Sequence, residues 1–322
     1  MNSEFDGSAD RGPGPFPSAF ADRDFRRALW RLADPKISLT SLASIYLGVS
    51  VAALEGRFSL AWFLVTLLAF FAIEVAKNAW GDVFDYDSGA DLEVAPEDRT
   101  PFSGGKRVLV DGLITRGQTW AIAVAFTLAG LLLGLAIVLL REPAALWIGA
   151  LGFVLGWSYH GPPLRFAYRG LGELDVVICY GPLIALSAYL IQAHALSWPV
   201  FWLSLPLGLI IAAFLWVNEF PDAPSDRRVG KRNLVVVLGR PAAARVLPLI
   251  YLAALAILLL LPLAGLPATV WLGAIAMLPA ALACRWVWRE PETFHRTRPA
   301  QPAALLSFLL YSAGAGTGVL LG

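Results

Sequence analysis

Nine stretches of this chain are almost entirely apolar: 37–54, 58–77, 118–140, 144–160, 173–193, 198–217, 242–264, 267–288 and 302–321. Each comes close to the roughly 20 residues that an α-helix needs to cross a bilayer. None alternates apolar and polar positions as the strands of a membrane barrel do. The pattern predicts an all-α, polytopic membrane protein with nine transmembrane helices. The runs at 144–160 and 302–321 are rich in glycine, which suits close approach of helix backbones.

The polar remainder carries its own information. Residues 1–24 are rich in Gly, Pro and Ser and lack an apolar core of signal-peptide type. They read as a disordered tail ahead of a single transmembrane domain at 25–322. With nine alternating helices, one membrane face receives this tail and the loops near 78–117, 161–172, 218–241 and 289–301. Allowing for helix ends, only Arg57 and Arg141 among the 25 Lys and Arg fall on the other face. Basic residues concentrate on the cytoplasmic side. The N-terminus and these loops are therefore expected in the cytoplasm and the C-terminus outside, across the inner membrane if the source is bacterial.

Composition narrows the class further. Hydrophobic residues make up 57% of the 322 positions and charged residues only 15%, against about 25% charge in soluble domains, so a soluble globular protein is excluded. A net charge of +1 gives no basis for a nucleic-acid partner. Cys179 and Cys284, both inside apolar runs, cannot build a disulfide framework.

Two of the loops on the basic face carry ordered carboxylates. After the second run, Asn78, Asp82 and Asp85 are spaced by four and three. After the sixth, Asn218, Asp222 and Asp226 are spaced by four and four. If the helices continue beyond the membrane, each trio shares one helical face. Mg²⁺ takes oxygen ligands, keeps several waters, and is usually bound by one or two carboxylates together with substrate phosphates. Each loop then runs into a basic cluster, Gly105-Lys106-Arg107 and Gly230-Lys231-Arg232, suited to phosphate oxygens. The two loops resemble each other and lie four helices apart, as copies in a parallel repeat would. Together they suggest a duplicated half-site clamping one diphosphate through Asn78, Asp82, Asp85, Asn218, Asp222 and Asp226 as metal-holding residues.

Other polar residues read less sharply. Asp87, Glu93, Glu97 and Asp98 suit a solvated acidic run, with Asp91 the exception most suited to the site. Glu74, inside the second run, is either functional or paired with Lys77. The segment Trp157–Arg165 ends a helix at a Pro pair and aims Tyr159 and Arg165 between the acidic loops. His160, His194 and His295 show no metal-binding spacing, and Cys179 has no partner in sequence.

These motifs resemble the UbiA superfamily of intramembrane prenyltransferases, most closely its dihydroxynaphthoate branch. The first family motif, Asn-x3-Asp-x2-Asp-x3-Gly-x-Asp, is matched by Asn78, Asp82, Asp85, Gly89 and Asp91. The second, Asn-x3-Asp-x3-Asp-x3-Gly-Lys, is matched by Asn218, Asp222, Asp226, Gly230 and Lys231. The stretch Pro162–Leu183 is similar to the family's connection between its fourth and fifth helices. Asp34-Pro35-Lys36 resembles the family's entrance, where a basic residue, here Lys36, sits near the diphosphate. The resemblance covers residues 26–322. Ala79 and Pro163 depart from the hydroxybenzoate branch, and Phe220-Pro221 departs from the dihydroxynaphthoate branch.

The resemblance implies a nine-helix bundle that transfers an isoprenoid from a polyprenyl diphosphate to an aromatic acceptor. About two Mg²⁺ would be held on the diphosphate, and Lys106, Arg107, Arg165, Lys231 and Arg232 would neutralise the leaving group. Aromatic faces, Tyr159 and Trp80 being candidates, would stabilise the allylic cation. The expected acceptor is 1,4-dihydroxy-2-naphthoate, as in menaquinone biosynthesis, with 4-hydroxybenzoate or homogentisate as alternatives. A transporter of an acidic solute is the rival of another class, but its charges would sit near the membrane midplane. A lipid-head-group phosphotransferase would need a DG–AR–G–D–D run that the chain lacks.

Overall fold

A computed structural model of the chain describes residues 22–297 and 299–322. The expected tail at 1–24 falls almost wholly outside them. All the regular secondary structure among the described residues is helical. In chain order the α-helices are α1 Arg23–Ala33, α2 Pro35–Leu54, α3 Leu60–Ser88, α4 Arg116–Leu140, α5 Ala145–His160, α6 Gly172–Ile178, α7 Ile184–Ala193, α8 Trp198–Arg228, α9 Leu234–Leu238, α10 Arg240–Leu260, α11 Met277–Arg289, α12 Phe294–Thr297 and α13 Ala300–Leu321. A π-turn, Cys179–Leu183, joins α6 to α7, and a 3₁₀ segment, Ala268–Ala276, leads into α11.

Helix occupies every one of the nine apolar runs, and seven or eight of them meet the length and hydropathy of a full membrane span. Among the described residues, seven helices are long and apolar enough to cross a membrane. An eighth is reached if Arg23–Ala33 and Ser38–Leu54, bent by 41°, count as one span. Helix α5 falls short because its 16 residues rise only about 24 Å, against a hydrocarbon core of about 30 Å.

Helices α3 and α8 are the opposite case. Their 29 and 31 residues rise about 44 and 46 Å, well beyond the apolar core. Each places its motif in the final turns. Helix α8 is central, with Leu203, Leu207, Ile210, Ala213, Val217 and Phe220 fully buried along it. Small residues let neighbours approach, since a Cβ on Gly208 of α8 would strike the backbone carbonyl of Val177. Pro224 inside α8 cannot donate to the carbonyl four residues earlier. That carbonyl, Phe220 O, instead accepts from Arg240 Nε at 2.8 Å. The helix thereby stays continuous through its second motif.

The loop between α3 and α4 folds back over the ends of both long helices. It is closed by a capping box in which Thr115 and Gln118 satisfy each other's backbone N–H at the start of α4, worth about 1 kcal/mol. Helix α1 packs on α3 through Phe25, Ala28 and Leu32.

Candidate active site

A cavity of about 780 Å³ opens between the motif-bearing ends of α3 and α8. Along α3 it is lined by Glu74, Lys77, Asn78, Gly81, Asp82 and Asp85, and along α8 by Phe214, Asn218, Glu219, Asp222 and Asp226. The spacings of three and four thus set both trios on inward faces, opposite each other. Lys106, Tyr159 and Lys231 also line it.

The loop after α3 orients both motifs through its backbone. Leu109 N–H donates to Asp82 Oδ2 at 3.2 Å, and Gly104 N–H donates to Asp222 Oδ2 at 3.0 Å. The other oxygen of each carboxylate is buried without a partner, as is Asn218 Oδ1. Buried oxygens normally find partners, so in these three cavity-lining groups the fold itself leaves an acceptor unsatisfied. Asp91 Oδ2 is similarly unpartnered. Gly105, at φ +73°, leaves the space that the Asp91 carboxylate fills, where any Cβ would collide. Burial, then the neighbouring Asp85 and Asp82, push the Asp91 carboxyl well above the usual carboxylate range.

Asp85 and Asp226 are held differently. Tyr168 OH donates to Asp85 Oδ1 at 2.8 Å, Lys231 Nζ lies 3.4 Å from Asp85 Oδ2, and His160 Nε2 lies 3.7 Å from the same oxygen. Asn233 Nδ2 donates to Asp226 Oδ2 at 2.8 Å, and Lys231 Nζ lies 3.7 Å from Asp226 Oδ1. Burial opposes the charge on Lys231, but Asp226 and Asp85 outweigh it and hold its ammonium well above the ordinary lysine range. Lys106 is paired with Asp34, and burial lowers its pKa despite that pairing. Asn78 Nδ2 donates to Leu32 O at 2.8 Å, tying α1 to the site.

Several predicted residues stand away from the cavity wall. Arg107 donates to Asp91 O and Asp111 Oδ1. Arg165 stacks on the Tyr168 ring at 4.9 Å. Arg232 is exposed. Lys36 donates to Pro101 O at 2.5 Å and lies 5.4 Å from the centre of the Phe102 ring. Trp80 packs on Phe153 and Trp157 and is not among the residues lining the cavity. Glu74 accepts from Ser41, and no ion pair within 4.0 Å links it to Lys77 among the described residues. Conversely, sequence reasoning missed Asp34, Asn233 and Tyr168 as supports of the charged groups, and set His160 aside on spacing alone.

Among the described residues, no three His, Cys, Asp or Glu side chains converge into a ready-made metal cage. The unpartnered oxygens of Asp82, Asn218 and Asp222 nonetheless suit a hard cation that completes its shell with ligand oxygens and water.

The family model described as "UbiA prenyltransferase family" matches residues 41–313. The chain belongs to that family. This UbiA-family prenyltransferase is 32% identical over 227 residues to 2-carboxy-1,4-naphthoquinone phytyltransferase of Synechocystis sp., covering 69% of this chain and 70% of the relative. It is 28% identical over 293 residues to 1,4-dihydroxy-2-naphthoate octaprenyltransferase of Escherichia coli, covering 87% and 92%. Among solved structures, the apo UbiA homolog from Aeropyrum pernix K1 superposes with a TM-score of 0.68 at 21% identity, covering 86% of this chain and 96% of that one. The UbiA homolog from Archaeoglobus fulgidus bound to GPP and Mg²⁺ gives 0.59 at 17% identity, covering 92% and 100%. At these identities the structural likeness establishes the UbiA fold of this prenyltransferase.

Proposed function

We propose that this prenyltransferase transfers a prenyl group from a polyprenyl diphosphate to 1,4-dihydroxy-2-naphthoate, with Mg²⁺ on the diphosphate. The observation that carries this reading is the pair of carboxylate faces, on α3 and α8, set across one cavity beside Lys106 and Lys231. The acceptor follows the named activities of the relatives. The Archaeoglobus homolog, bound to GPP and Mg²⁺, supports the metal and the diphosphate.

Asp82, Asn218 and Asp222 would hold about two Mg²⁺ between them and the diphosphate, with Asp85, Asp226 and Asn78 completing the polar walls. When bound, Mg²⁺ supplies charge neutralisation for the leaving diphosphate. Lys231 and Lys106 add positive charge as the C–O bond breaks with its electron pair on the diphosphate. Tyr159 lines the cavity beside this point and offers an aromatic face to the allylic cation. The electron-rich ring carbon that bears the carboxylate forms the new C–C bond. Carbon dioxide then leaves, and its bonding pair restores the aromatic ring, so this step requires no proton acceptor.

The prenyl tail takes the apolar side of the cavity, formed by α4 and α5 around Gly130, Leu131, Leu135 and Leu146. Leu131 and Leu146 are also exposed, which suits a lateral way to lipid for the tail. The motif-bearing ends face the cytoplasm in this reading, following the bias of Lys and Arg.

The test uses protein purified in detergent with Mg²⁺ and a labelled prenyl diphosphate, offered dihydroxynaphthoate and hydroxybenzoate in parallel. Prenylated naphthoquinol is the expected product. Product from hydroxybenzoate alone would overturn the acceptor. Failure to bind any prenyl diphosphate would overturn the reading as a whole.

A further inference from the structure

The cavity holds a second polar cluster that the diphosphate chemistry leaves unused. Lys77 on α3 is part-buried, and its Nζ donates to Tyr180 OH at 2.6 Å, with the ring centre 5.0 Å away. Among the described residues no carboxylate oxygen comes within 4.0 Å of Lys77 Nζ, whereas Lys106 and Lys231 are both paired with aspartates. An ammonium carries three N–H donors, so Tyr180 accounts for one and two can serve a ligand.

The local fold places this pair deliberately out of the helical register. Gly181, at φ −89° and ψ −107°, and Pro182 interrupt the helix between α6 and α7. The Tyr180 carbonyl released by that break accepts from the Ser44 hydroxyl. The bend leaves little room at Gly181, whose Cβ would meet Ser204 O and Gly208 Cα at 3.1 Å. Tyr180 is thereby turned onto Lys77. Glu74, which accepts from Ser41, and Asp175, which accepts from Cys179 Sγ at 3.7 Å, line the same part of the cavity.

One cation, one phenol and two carboxyl side chains match a hydroxylated aromatic acid. The cation and phenol suit the acid group, and the carboxyl groups suit ring hydroxyls. Along α3, Lys77 lies about 7.5 Å from Asp82 and about 12 Å from Asp85 by helical rise. That interval accommodates a carboxylate held at Lys77, the ring carbon bearing it, and a prenyl carbon still attached to diphosphate. The part of the lining that includes Leu131, Leu135 and Leu146 is apolar and suits the tail.

We propose that Lys77 and Tyr180 form the subsite that holds the acidic substituent of the aromatic acceptor, with Glu74 and Asp175 receiving its hydroxyl groups. This rests on the prenyl-transfer reading and adds the residues that select the acceptor.

The test separates binding from turnover. Equilibrium binding of 1-hydroxy-2-naphthoate and of geranyl diphosphate with Mg²⁺ is measured on the wild type, Lys77→Met and Tyr180→Phe. Prenyl transfer is followed in parallel with 1,4-dihydroxy-2-naphthoate and with 1,4-dihydroxynaphthalene, which lacks the carboxylate. Lys77→Met is expected to weaken naphthoate binding on the order of 10- to 100-fold, with a smaller loss in Tyr180→Phe. Geranyl diphosphate binding, which also reports folding, stays within about twofold, and the preference for the carboxylated acceptor shrinks. Unchanged naphthoate binding in both variants, or an equal loss for the acceptor without a carboxylate, overturns the subsite. A matching loss of geranyl diphosphate binding also overturns it, by assigning Lys77 to the diphosphate. Naphthoate binding that depends on Lys77 in a wild type that transfers no prenyl group would uphold the subsite and overturn the prenyl-transfer reading alone.

Discussion

Lys231 reaches from the loop after α8 to Asp85 on α3, Nζ to Oδ2 at 3.4 Å, while keeping Asp226 of its own motif at 3.7 Å. One ammonium thus links carboxylates that are about 140 residues apart in the chain. Asp85, Asp226 and Lys231 are largely buried, with side-chain exposures of 12%, 5% and 17%. In such surroundings the loss of one partner leaves charge uncompensated, and that loss costs more than the intact contact contributes.

Replacing Lys231 by Met is expected to reduce kcat/KM by about 100-fold or more, through loss of charge at the leaving group and repulsion between Asp85 and Asp226. Lys231→Arg retains the charge and should recover part of the rate. Initial rates with a labelled prenyl diphosphate decide this, and a Met variant of normal activity would remove Lys231 from the chemistry.

Asp82 and Asp222 line the cavity, and each keeps one buried oxygen without a hydrogen-bond partner. Asp82→Ala and Asp222→Ala should each abolish Mg²⁺-dependent transfer. Chelation should stop the wild type, and added Mg²⁺ should restore it. Calorimetric titration of Mg²⁺ with prenyl diphosphate present would show the cause directly, since undiminished Mg²⁺ uptake in both variants would contradict the assignment.

Tyr168 donates to Asp85 and shares a 2.7 Å contact with the Ser88 hydroxyl. A hydrogen bond to a charged group contributes about 1.5–3 kcal/mol. Tyr168→Phe should therefore lower kcat/KM roughly 10- to 100-fold while the protein remains folded. Retained wild-type kinetics would mean that Lys231 and His160 suffice to orient Asp85.

The loop segment Pro96–Asp98 is clasped to the chain just before α13. Asp98 Oδ1 accepts from Arg296 Nη2 at 2.6 Å and from His295 Nε2 at 3.0 Å. Burial raises the Asp98 carboxyl, but the hydrogen bonds from Arg296 and His295 outweigh it and leave it below the usual range. Burial lowers His295 in spite of Asp98. Both groups favour their deprotonated forms when folded, so the stability they contribute is present above their unfolded values. The His295 contribution should decline as pH falls below about 6.5, and the Asp98 contribution below about 3.9. Melting in detergent from pH 7.5 to pH 5.5 should show Tm falling with pH in the wild type and a flatter slope in His295→Gln. Parallel slopes would exclude His295 as the titrating group.

Much of this architecture is legible in linear order. Apolar runs long enough for the bilayer dictate helices, and all nine become helical because an unpaired backbone is intolerable in hydrocarbon. Spacings of three and four placed Asn78, Asp82 and Asp85 on one face, as they did Asn218, Asp222 and Asp226, because helical periodicity is a local property. Length alone decided less. Helix α5 stops after 16 residues at the turn following His160, while α3 and α8 continue far beyond their apolar runs.

What the chain order could not convey is which charges meet. Lys106 and Arg107 are neighbours, yet one lines the cavity opposite Asp34 and the other turns away to Asp111. Tyr168 and Arg165 come from one turn, yet Tyr168 holds the carboxylate and Arg165 stacks on its ring. The helix break at Gly181 that turns Tyr180 onto Lys77 depends on the backbone of α8 beside it. Pairing between distant residues is fixed by helix packing and loop closure, which combine contributions from the whole chain. The sequence by itself determined the helices, the paired acidic motifs and the chemistry they suit. Only the tertiary structure decided which buried oxygens lack a partner and which cations pair with which carboxylates.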